Sequence, residues 1–260
     1  MSYYQDLDCI LAETAYPGPL QQHDHSVAVK RLQEWLTFHQ YGLVIDGDYG
    51  PATHQALTRF RQHAGLPTDG PLSLEDWQCL IAPMINALQC PPPDTTLPET
   101  VLKIALQHLR PHPVELGGEN RGPWVRLYCN GQEGKEMLWC AGFVSFVLKQ
   151  ACAVQGVELP LPGSLSCDAL AQQAKQRGRF VFGGDIDSGN TPWSDLDIAW
   201  IFLWRGKNAD DWTHTGIGFE GVDHTFRTVE GNTNHEGFTN GYEVCSRDRA
   251  VTHCDFISLR

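Results

Sequence analysis

The chain has 260 residues, of which 42% are hydrophobic and 19% charged, a balance typical of globular proteins with one or two packed cores. A formal net charge of −12 argues against nucleic-acid binding, which needs clustered Lys and Arg, and against attraction to anionic lipids or phosphate-rich wall polymers. Nine cysteines with no CxxC pair argue against a zinc site and exclude a complete disulfide framework.

The N-terminal segment has no basic stretch followed by a long apolar run. We therefore expect synthesis in the cytoplasm without a classical signal peptide, and free thiols fit such a reducing compartment. We also expect no membrane span, because no stretch approaches the ~18 apolar residues that one requires.

The first third of the chain predicts three short helices joined by turns. Apolar residues at helical spacing mark a helix over 29–36. Pro51 opens a second helix, and Gly65 ends it. Ser73 caps a third helix, in which Pro83 predicts a kink or an early stop.

Three motifs connect these helices to a known family. They are Leu32-Gln33 in the first helix, 46–53 (DGDYGPAT) in the following loop and 65–70 (GLPTDG) in the second turn. With them, residues 26–85 resemble the type 1 peptidoglycan-binding domain, a three-helix bundle. The resemblance implies a peptidoglycan-binding domain at residues 1–90, with its core at about 26–85.

The loop over 46–53 is our candidate for contact with the wall. The candidate substrate-binding residues there are Asp46, Asp48, Tyr49 and Thr53. Turn and cap chemistry explains the same residues equally well, because Asp and Thr side chains bond nearby backbone groups.

A proline-rich run over 91–98 (PPPDTTLP) predicts an extended linker. A helix over 99–110 follows it. The glycine-rich loop over 117–123 lacks the Gly-Lys-Ser/Thr ending of a phosphate-binding loop, so we reject that function. Two further helices are predicted over 137–150 and 166–177, the latter capped by Ser166.

Beyond these helices the periodicity changes to that of strands. The predicted strands are 198–204, 215–219, 225–229, 242–245 and 256–259. Helices followed by strands predict an α+β domain with a largely antiparallel sheet.

The segment over 179–193 has the look of an insertion or a divergent loop. Asp185, Asp187 and Asn190 within it invite a calcium-binding interpretation. A plain turn is favoured, because calcium takes six or more well-spaced oxygens and the EF-hand spacing is missing. We expect no metal and no cofactor.

Cys140 has the setting of a reactive thiol. It falls at the start of a predicted helix in 138–147 (LWCAGFVSFV), where the helix dipole and free amides stabilise a thiolate. Small neighbours at Ala141 and Gly142 leave the approach to the sulfur open. A buried core cysteine is the competing interpretation, and we expect the other eight cysteines to be structural.

A cysteine nucleophile needs a base, and His214 has the best context among the eleven histidines. It begins a predicted strand with small neighbours. A turn over 221–224 joins this strand to the next, whose end carries Glu230. That carboxylate is placed to accept from the Nδ1–H group of His214, with Asn232 as the alternative. An exposed strand-end carboxylate is the competing interpretation of Glu230. Alternates for the base are His224, His235 and His253.

Four segments extend this pattern: 120–125 (NRGPWV), 138–145 (LWCAGFVS), 214–217 (HTGI) and 230–234 (EGNTN). Together they resemble the CHAP family of cysteine, histidine-dependent amidohydrolases/peptidases, over about residues 99–250. The resemblance implies a papain-like fold and a catalytic domain over 99–260.

The same resemblance implies roles for four residues. Cys140 attacks the amide carbonyl, and its backbone N–H contributes to the oxyanion hole. His214 acts as base and then as acid, Glu230 orients it, and Asn232 assists as a polar neighbour. One departure is 194–198 (SDLDI), where family members usually carry Pro-Gly-Asp before the strand that precedes the histidine.

Tryptophans crowd this part of the chain, and some of them are candidates to line a groove for sugar or peptide. We name Trp139 as a candidate substrate contact. Trp200 and Trp204 lie in an apolar run, so core packing is the safer interpretation for them.

The two resemblances imply a peptidoglycan hydrolase acting in the periplasm or cell wall through a thioester intermediate. The bond is either the N-acetylmuramoyl–L-alanine amide or a peptide bond of the stem or cross-bridge. Three roles stay open: a phage endolysin, a secreted antibacterial effector of the type VI kind, and a host wall-remodelling enzyme. We expect a monomer with peptidoglycan as partner, and an immunity protein or a secretion or holin system as further partners.

The alternative is a non-catalytic peptidoglycan-binding or virion structural protein with a degenerate CHAP fold. An intracellular papain-like protease is a third interpretation, but it does not explain the N-terminal module.

Overall fold

The structure is a computed structural model that describes residues 7–92, 96–208, 210–236 and 240–260. Residues 93–95 of the predicted linker lie outside the described residues, as does the start of the N-terminal segment. Among the helices of the described residues, none combines the length and the apolar character that crossing a membrane requires.

The described residues contain helices and a six-stranded antiparallel sheet, which confirms the predicted α+β class. The helices are α1 (Leu7–Thr14), α2 (Val27–Phe38), α3 (Pro51–Ala64), α4 (Leu74–Leu88), α5 (Leu97–Leu109), α6 (Pro123–Tyr128), α7 (Cys140–Gln155), α8 (Cys167–Gln176) and α9 (Gly183–Asp187). The strands are β1 (Phe180–Val181), β2 (Ala199–Arg205), β3 (Trp212–Val222), β4 (Thr225–Thr233), β5 (Glu243–Ala250) and β6 (Cys254–Ser258).

The chain forms two compact units. The helical unit contains residues 7–86 and 114–135, and the sheet unit contains the other described residues. The predicted boundaries placed 114–135 in the C-terminal domain over 99–260, whereas in the structure this segment packs with the N-terminal helices.

The helices of the helical unit begin and end close to the residues that the sequence predicts. Gly65 follows α3 with φ 71°, a left-handed conformation that favours glycine. The hydroxyl of Ser73 accepts a hydrogen bond from the backbone N–H of Asp76 at 3.1 Å and caps α4. However, α4 continues through Pro83, so the predicted early stop is wrong. Buried apolar residues flank this proline, and their packing offsets its missing hydrogen bond.

Arg126 fixes residues 114–135 within the helical unit. Its guanidinium donates paired hydrogen bonds to Glu13 and to Glu34, at 2.7–3.1 Å, and a further one to Glu133 at 2.7 Å. The Glu13 and Glu34 side chains are each only 2% exposed. Burial alone lowers the pKa of Arg126, but hydrogen bonds to these two carboxylates outweigh it and raise the pKa.

Aromatic packing supports the same assignment of 114–135. The ring of Trp124 on α6 lies 6.4 Å from the ring of Trp35 and 6.1 Å from that of Phe38, both on α2. Trp124 is fully buried, so it is a core residue of the helical unit and not part of a sugar-binding groove.

The sheet unit has the strand order β1-β6-β2-β3-β4-β5, with every neighbouring pair antiparallel. The helix α7 packs against β3 and β4. An aromatic cluster on the sheet includes Trp200, Phe202, Phe226 and Phe256, so core packing of Trp200 is confirmed.

Two segments differ from their predictions. Leu97 and Pro98 of the predicted linker belong to α5, which Thr96 and Glu99 cap reciprocally. The segment 179–193, predicted as an insertion or loop, contains β1, which pairs with β6, and α9.

The calcium interpretation of the α9 region finds no support in the geometry. The carboxylate of Asp187 lies 2.9 Å from Nδ1 of His224. Within the described part of the chain, no group of three or more His, Cys, Asp or Glu residues is arranged to hold a metal ion.

Candidate active site

The helix predicted over 137–150 is α7 (Cys140–Gln155), so Cys140 is its first residue, and it is 3% exposed. Trp139 is the N-cap residue of α7, and its side chain makes no capping hydrogen bond. The backbone N–H groups of the first turn therefore remain available to bind an anion. The β4 backbone comes close to this turn at Gly231: a Cβ there would lie 2.8 Å from both the Trp139 ring and Cβ of Phe143. The helix start is therefore held against β4.

His214 on β3 and Glu230 on β4 form a buried pair. Nε2 of His214 lies 2.8 Å from Oε2 of Glu230, and both side chains are fully buried. The predicted pairing is therefore found, but the prediction that Glu230 binds Nδ1–H is wrong. Because Glu230 occupies Nε2, Nδ1 is the ring nitrogen that remains for a second partner. Nδ1 makes no hydrogen bond of ordinary geometry to any described residue.

Gly216 provides the room in which this pair forms. It lies two residues after His214 on the same face of β3, and β3 pairs with β4 in antiparallel register. A Cβ at Gly216 would lie 2.9 Å from Cγ of Glu230 and 2.7 Å from the ring of Phe202. The missing side chain thus allows the carboxylate to reach the imidazole.

Arg249 on β5 completes the environment of Glu230, and our sequence analysis did not identify it. Its Nε donates to Oε1 of Glu230 at 2.8 Å and its Nη2 to Oε2 at 2.5 Å. The hydroxyl of Thr228 donates to Oε1 at 2.6 Å. The guanidinium also lies 4.9 Å from the ring centre of Trp204, a cation–π contact.

These contacts set the charges of the site. Burial raises the pKa of Glu230, but the hydrogen bonds from Arg249 and His214 outweigh it and lower the pKa to about 2. Burial lowers the pKa of His214, but its interactions with Cys140 and Glu230 raise it to about 9. At neutral pH, Glu230 is therefore a carboxylate and His214 an imidazolium.

The thiol of Cys140 completes the series. A hydrogen bond from Cys167, and then the interaction with His214, lower the pKa of Cys140 well below its usual value, although burial opposes them. The four groups Cys140, His214, Glu230 and Arg249 then carry alternating negative and positive charges. Such alternation compensates charges that would each be costly to bury alone.

Cys167 is the second group that sequence analysis missed. It is the first residue of α8, and its sulfur lies 3.8 Å from that of Cys140. The hydrogen bond to Cys140 raises the pKa of Cys167 well above its usual value, so its S–H remains a donor to the Cys140 thiolate.

Asn232 does not take the orienting role that was its alternative assignment. It is buried, with φ 57°, and its side-chain amide has no hydrogen-bond partner among the described residues. Glu230 occupies the position beside His214 instead. The three alternates for the base have other neighbours: His224 pairs with Asp187, His235 lies 4.0 Å from Glu243, and His253 lies against the ring of Trp204.

The loop over 46–53 is organised by Gln33 of α2. The amide Nε2 of Gln33 donates to Oδ1 of Asp46 at 2.8 Å and to the hydroxyl of Thr53 at 3.1 Å. Its Oε1 accepts from the backbone N–H of Gly47 at 2.8 Å. The shape of this loop therefore depends on Gln33, the second residue of the Leu32-Gln33 motif.

The predicted wall contacts in this loop differ in their availability. Tyr49 and Thr53 are 1% and 2% exposed, so their side chains serve the fold and are not presented to a ligand. Asp48 is half exposed, with His25 3.5 Å away, and Asp46 lies on the surface. Trp139, the candidate substrate contact in the sheet unit, is fully buried.

Comparison with known proteins finds a family match within the helical unit. Neither the curated proteins nor the solved structures gave a match to this chain. The family model of a peptidoglycan binding domain matches residues 25–80, which include α2, α3 and the loop organised by Gln33. These residues therefore carry the signature of a domain that binds the cell wall.

Proposed function

We propose that this protein is a peptidoglycan hydrolase of the CHAP kind, in which Cys140 cleaves an amide bond of the wall. The observation that carries the proposal is the buried Cys140, His214 and Glu230 arrangement in a chain whose residues 25–80 match a peptidoglycan-binding domain. A wall-binding protein that performs no reaction has no need of these alternating buried charges, which are each costly to bury.

The proposed reaction begins with attack of the Cys140 thiolate on the amide carbonyl. The amides at the start of α7, including that of Cys140, are the donors available to the oxyanion. His214 then gives its proton to the leaving amine, and a thioester remains on Cys140. His214, now neutral, takes a proton from water, and the resulting hydroxide releases the acid and restores the thiolate. Glu230 keeps the imidazole in place and stabilises its charged form throughout.

The test is a digest of purified sacculi by the wild type and by Cys140→Ala, with soluble products identified by mass spectrometry. Cys152→Ala is the matched control, because this buried cysteine lies in the same helix and its pKa is raised by burial to about 11. We expect new muropeptide ends from the wild type and the control only. Their masses distinguish the muramoyl amide from a stem or cross-bridge peptide bond.

The competing function is that of a non-catalytic wall-binding or virion protein. Sacculi that retain the protein while no variant releases any product would favour it over hydrolysis.

Retention itself tests the helical unit: Asp48→Ala, on the exposed side of the loop, should weaken binding to sacculi without unfolding the protein. Unchanged retention would remove this loop from the binding surface.

The biological setting we infer is the periplasm or cell wall. An endolysin, an injected antibacterial effector and a wall-remodelling enzyme all fit an amide hydrolase with a wall-binding module. Lysis from outside, lysis only on delivery to the periplasm, and a growth defect on deletion are the phenotypes that distinguish them.

A further inference from the structure

The pair of Cys140 and Cys167 brings two thiols of opposite character together. Their sulfurs are 3.8 Å apart, and the two residues begin different helices, α7 and α8. Cys140 and Cys167 are 3% and 8% exposed, so a small molecule has limited access to them and a bulky thiol has less. A disulfide requires about 2.05 Å between sulfurs, which a modest approach of the two helix starts would supply.

We propose that Cys140 and Cys167 form a reversible disulfide when the protein meets a hydroperoxide, and that this bond protects the nucleophile from irreversible oxidation. The proposal rests on the geometry of the two sulfurs and does not depend on the hydrolase assignment.

The chemistry requires two steps. The Cys140 thiolate attacks the terminal peroxide oxygen, so that the O–O bond breaks, an alkoxide leaves and Cys140 becomes a sulfenic acid. The sulfur of Cys167 then attacks the Cys140 sulfur, the S–S bond forms, and hydroxide leaves as water with the Cys167 proton. Two thiols are oxidised by two electrons, and the hydroperoxide is reduced to an alcohol and water.

Cys140 is favoured over three other buried cysteines of the sheet unit in the first step. The thiolate is the form that reacts with peroxides. Burial raises the pKa of Cys152 to about 11, and that of Cys245 and of Cys254 to about 12, so these three remain thiols. In the second step Cys167 has the advantage of position, because it already contacts the reacting sulfur.

The test begins with the reduced full-length protein, treated with hydrogen peroxide, blocked with an alkylating agent and digested by trypsin and Glu-C together. Cleavage after Glu158 separates Cys152 from Cys167. We expect a disulfide-linked pair of peptides, Met137–Lys149 with Leu159–Lys175, that dithiothreitol separates. The matched control Cys152→Ser should give the same pair.

Cys167→Ser removes the resolving thiol. In this variant we expect Cys140 to advance to the sulfinic acid, which dithiothreitol does not reverse. Sacculus digestion by the wild type should fall after peroxide and recover with dithiothreitol, while the activity remaining in Cys167→Ser should be lost permanently. The peptide map reads out the bond even if sacculi are not the substrate.

Two outcomes would overturn the proposal. One is wild-type protein in which Cys140 reaches the sulfinic acid as fast as it does in Cys167→Ser. The other is a peroxide-treated protein in which both cysteines remain open to alkylation, or in which Cys140 is linked to a different cysteine.

Discussion

Glu230 connects the two positive groups of the candidate site. It accepts hydrogen bonds from His214, Arg249 and Thr228, so each carboxylate oxygen has its partners. A carboxylate held in this way fixes the imidazole and keeps it charged. The charge of His214 in turn supports the thiolate form of Cys140, so a change at Glu230 should be felt at the sulfur.

The pH profile tests this dependence. The reactive form needs Cys140 as thiolate and His214 as imidazolium, so activity should be lost as pH rises through about 9, where His214 gives up its proton. Glu230→Gln removes the negative charge that raises this pKa, and the alkaline limb should move to lower pH. The maximal rate should fall by about 10²–10⁴-fold.

The control for this profile is Glu220→Gln, because Glu220 is a carboxylate of the same sheet whose side chain is 60% exposed. Its limb should stay at the wild-type position. An alkaline limb that Glu230→Gln does not move would show that the carboxylate does not hold the charge of His214.

Arg249 makes a second prediction, about stability. Arg249→Met leaves the fully buried Glu230 with one cation fewer, and breaking a buried pair in this way costs about 3–5 kcal/mol of the free energy of unfolding. Arg227→Met is the matched control, since Arg227 pairs with Glu220 on the surface. It should cost about 0–1 kcal/mol. Urea unfolding of both variants measures the difference, and equal losses would contradict a structural role for the buried pair.

Single residues differ in how far the sequence reveals them. A cysteine at the start of an apolar helix and a histidine at the start of a strand are visible as local patterns, and the structure brings the predicted Cys140, His214 and Glu230 together. Arg249 and Cys167 act through contacts 19 and 27 residues away in the chain. A charged residue in a strand of alternating polarity is expected to be exposed, so the local sequence pattern does not indicate that Arg249 is buried.

At the scale of elements, the hairpin of β3 and β4 depends on Gly216. In Gly216→Ala, the new Cβ would meet the Phe202 ring, Cγ of Glu230 and the backbone oxygen of Val229, all at 2.7–2.9 Å. We expect the imidazole and carboxylate to separate, and sacculus digestion to fall by at least about 10-fold. The backbone oxygen cannot move aside as a flexible side chain would.

The control for this substitution is Gly42→Ala, where an added Cβ meets nothing within 4 Å. It should digest sacculi as the wild type does. Full activity in Gly216→Ala would mean that the hairpin adjusts freely and that the close approach does not position the pair.

Elements with strong local signals were predicted well, and those fixed by pairing partners were not. Caps at Ser73 and Ser166 mark the starts of α4 and α8 as the sequence indicates. By contrast, β5 runs to Ala250, five residues past its predicted end, because its polar second half is stabilised by pairing with β4. The short strand β1 exists only through its pairing with β6, and no periodicity predicts two residues.

At the scale of the whole molecule, the two compact units do not follow one cut in the chain. Residues 114–135 lie in the helical unit, although residues on both sides of them lie in the sheet unit. The chain therefore passes from one unit to the other more than once, whereas modules joined by a single linker are connected only once.

Removing residues 1–90 tests this organisation. The remaining chain would keep Arg126 without Glu13 and Glu34, and Trp124 without Trp35 and Phe38. We expect it to aggregate or to lose cooperative unfolding, because a buried charge and a large apolar side chain lose their partners. Calorimetry of the truncated and full-length chains gives the comparison. A truncated chain with a sharp transition and undiminished digestion of soluble muropeptides would restore the linker at 91–98 as the true boundary.

The most direct test of the account is alkylation at pH 6 with iodoacetamide, followed by peptide mapping and by sacculus digestion of the same samples. The lowered pKa of Cys140 favours its thiolate, the form that is alkylated, at this pH, so we expect Cys140 to be labelled before Cys90, although Cys90 is exposed and Cys140 is buried. Activity should fall in proportion to the fraction of Cys140 that is labelled. Full activity in protein labelled at Cys140, or labelling of Cys90 while Cys140 stays unmodified, would contradict a catalytic thiolate at this site.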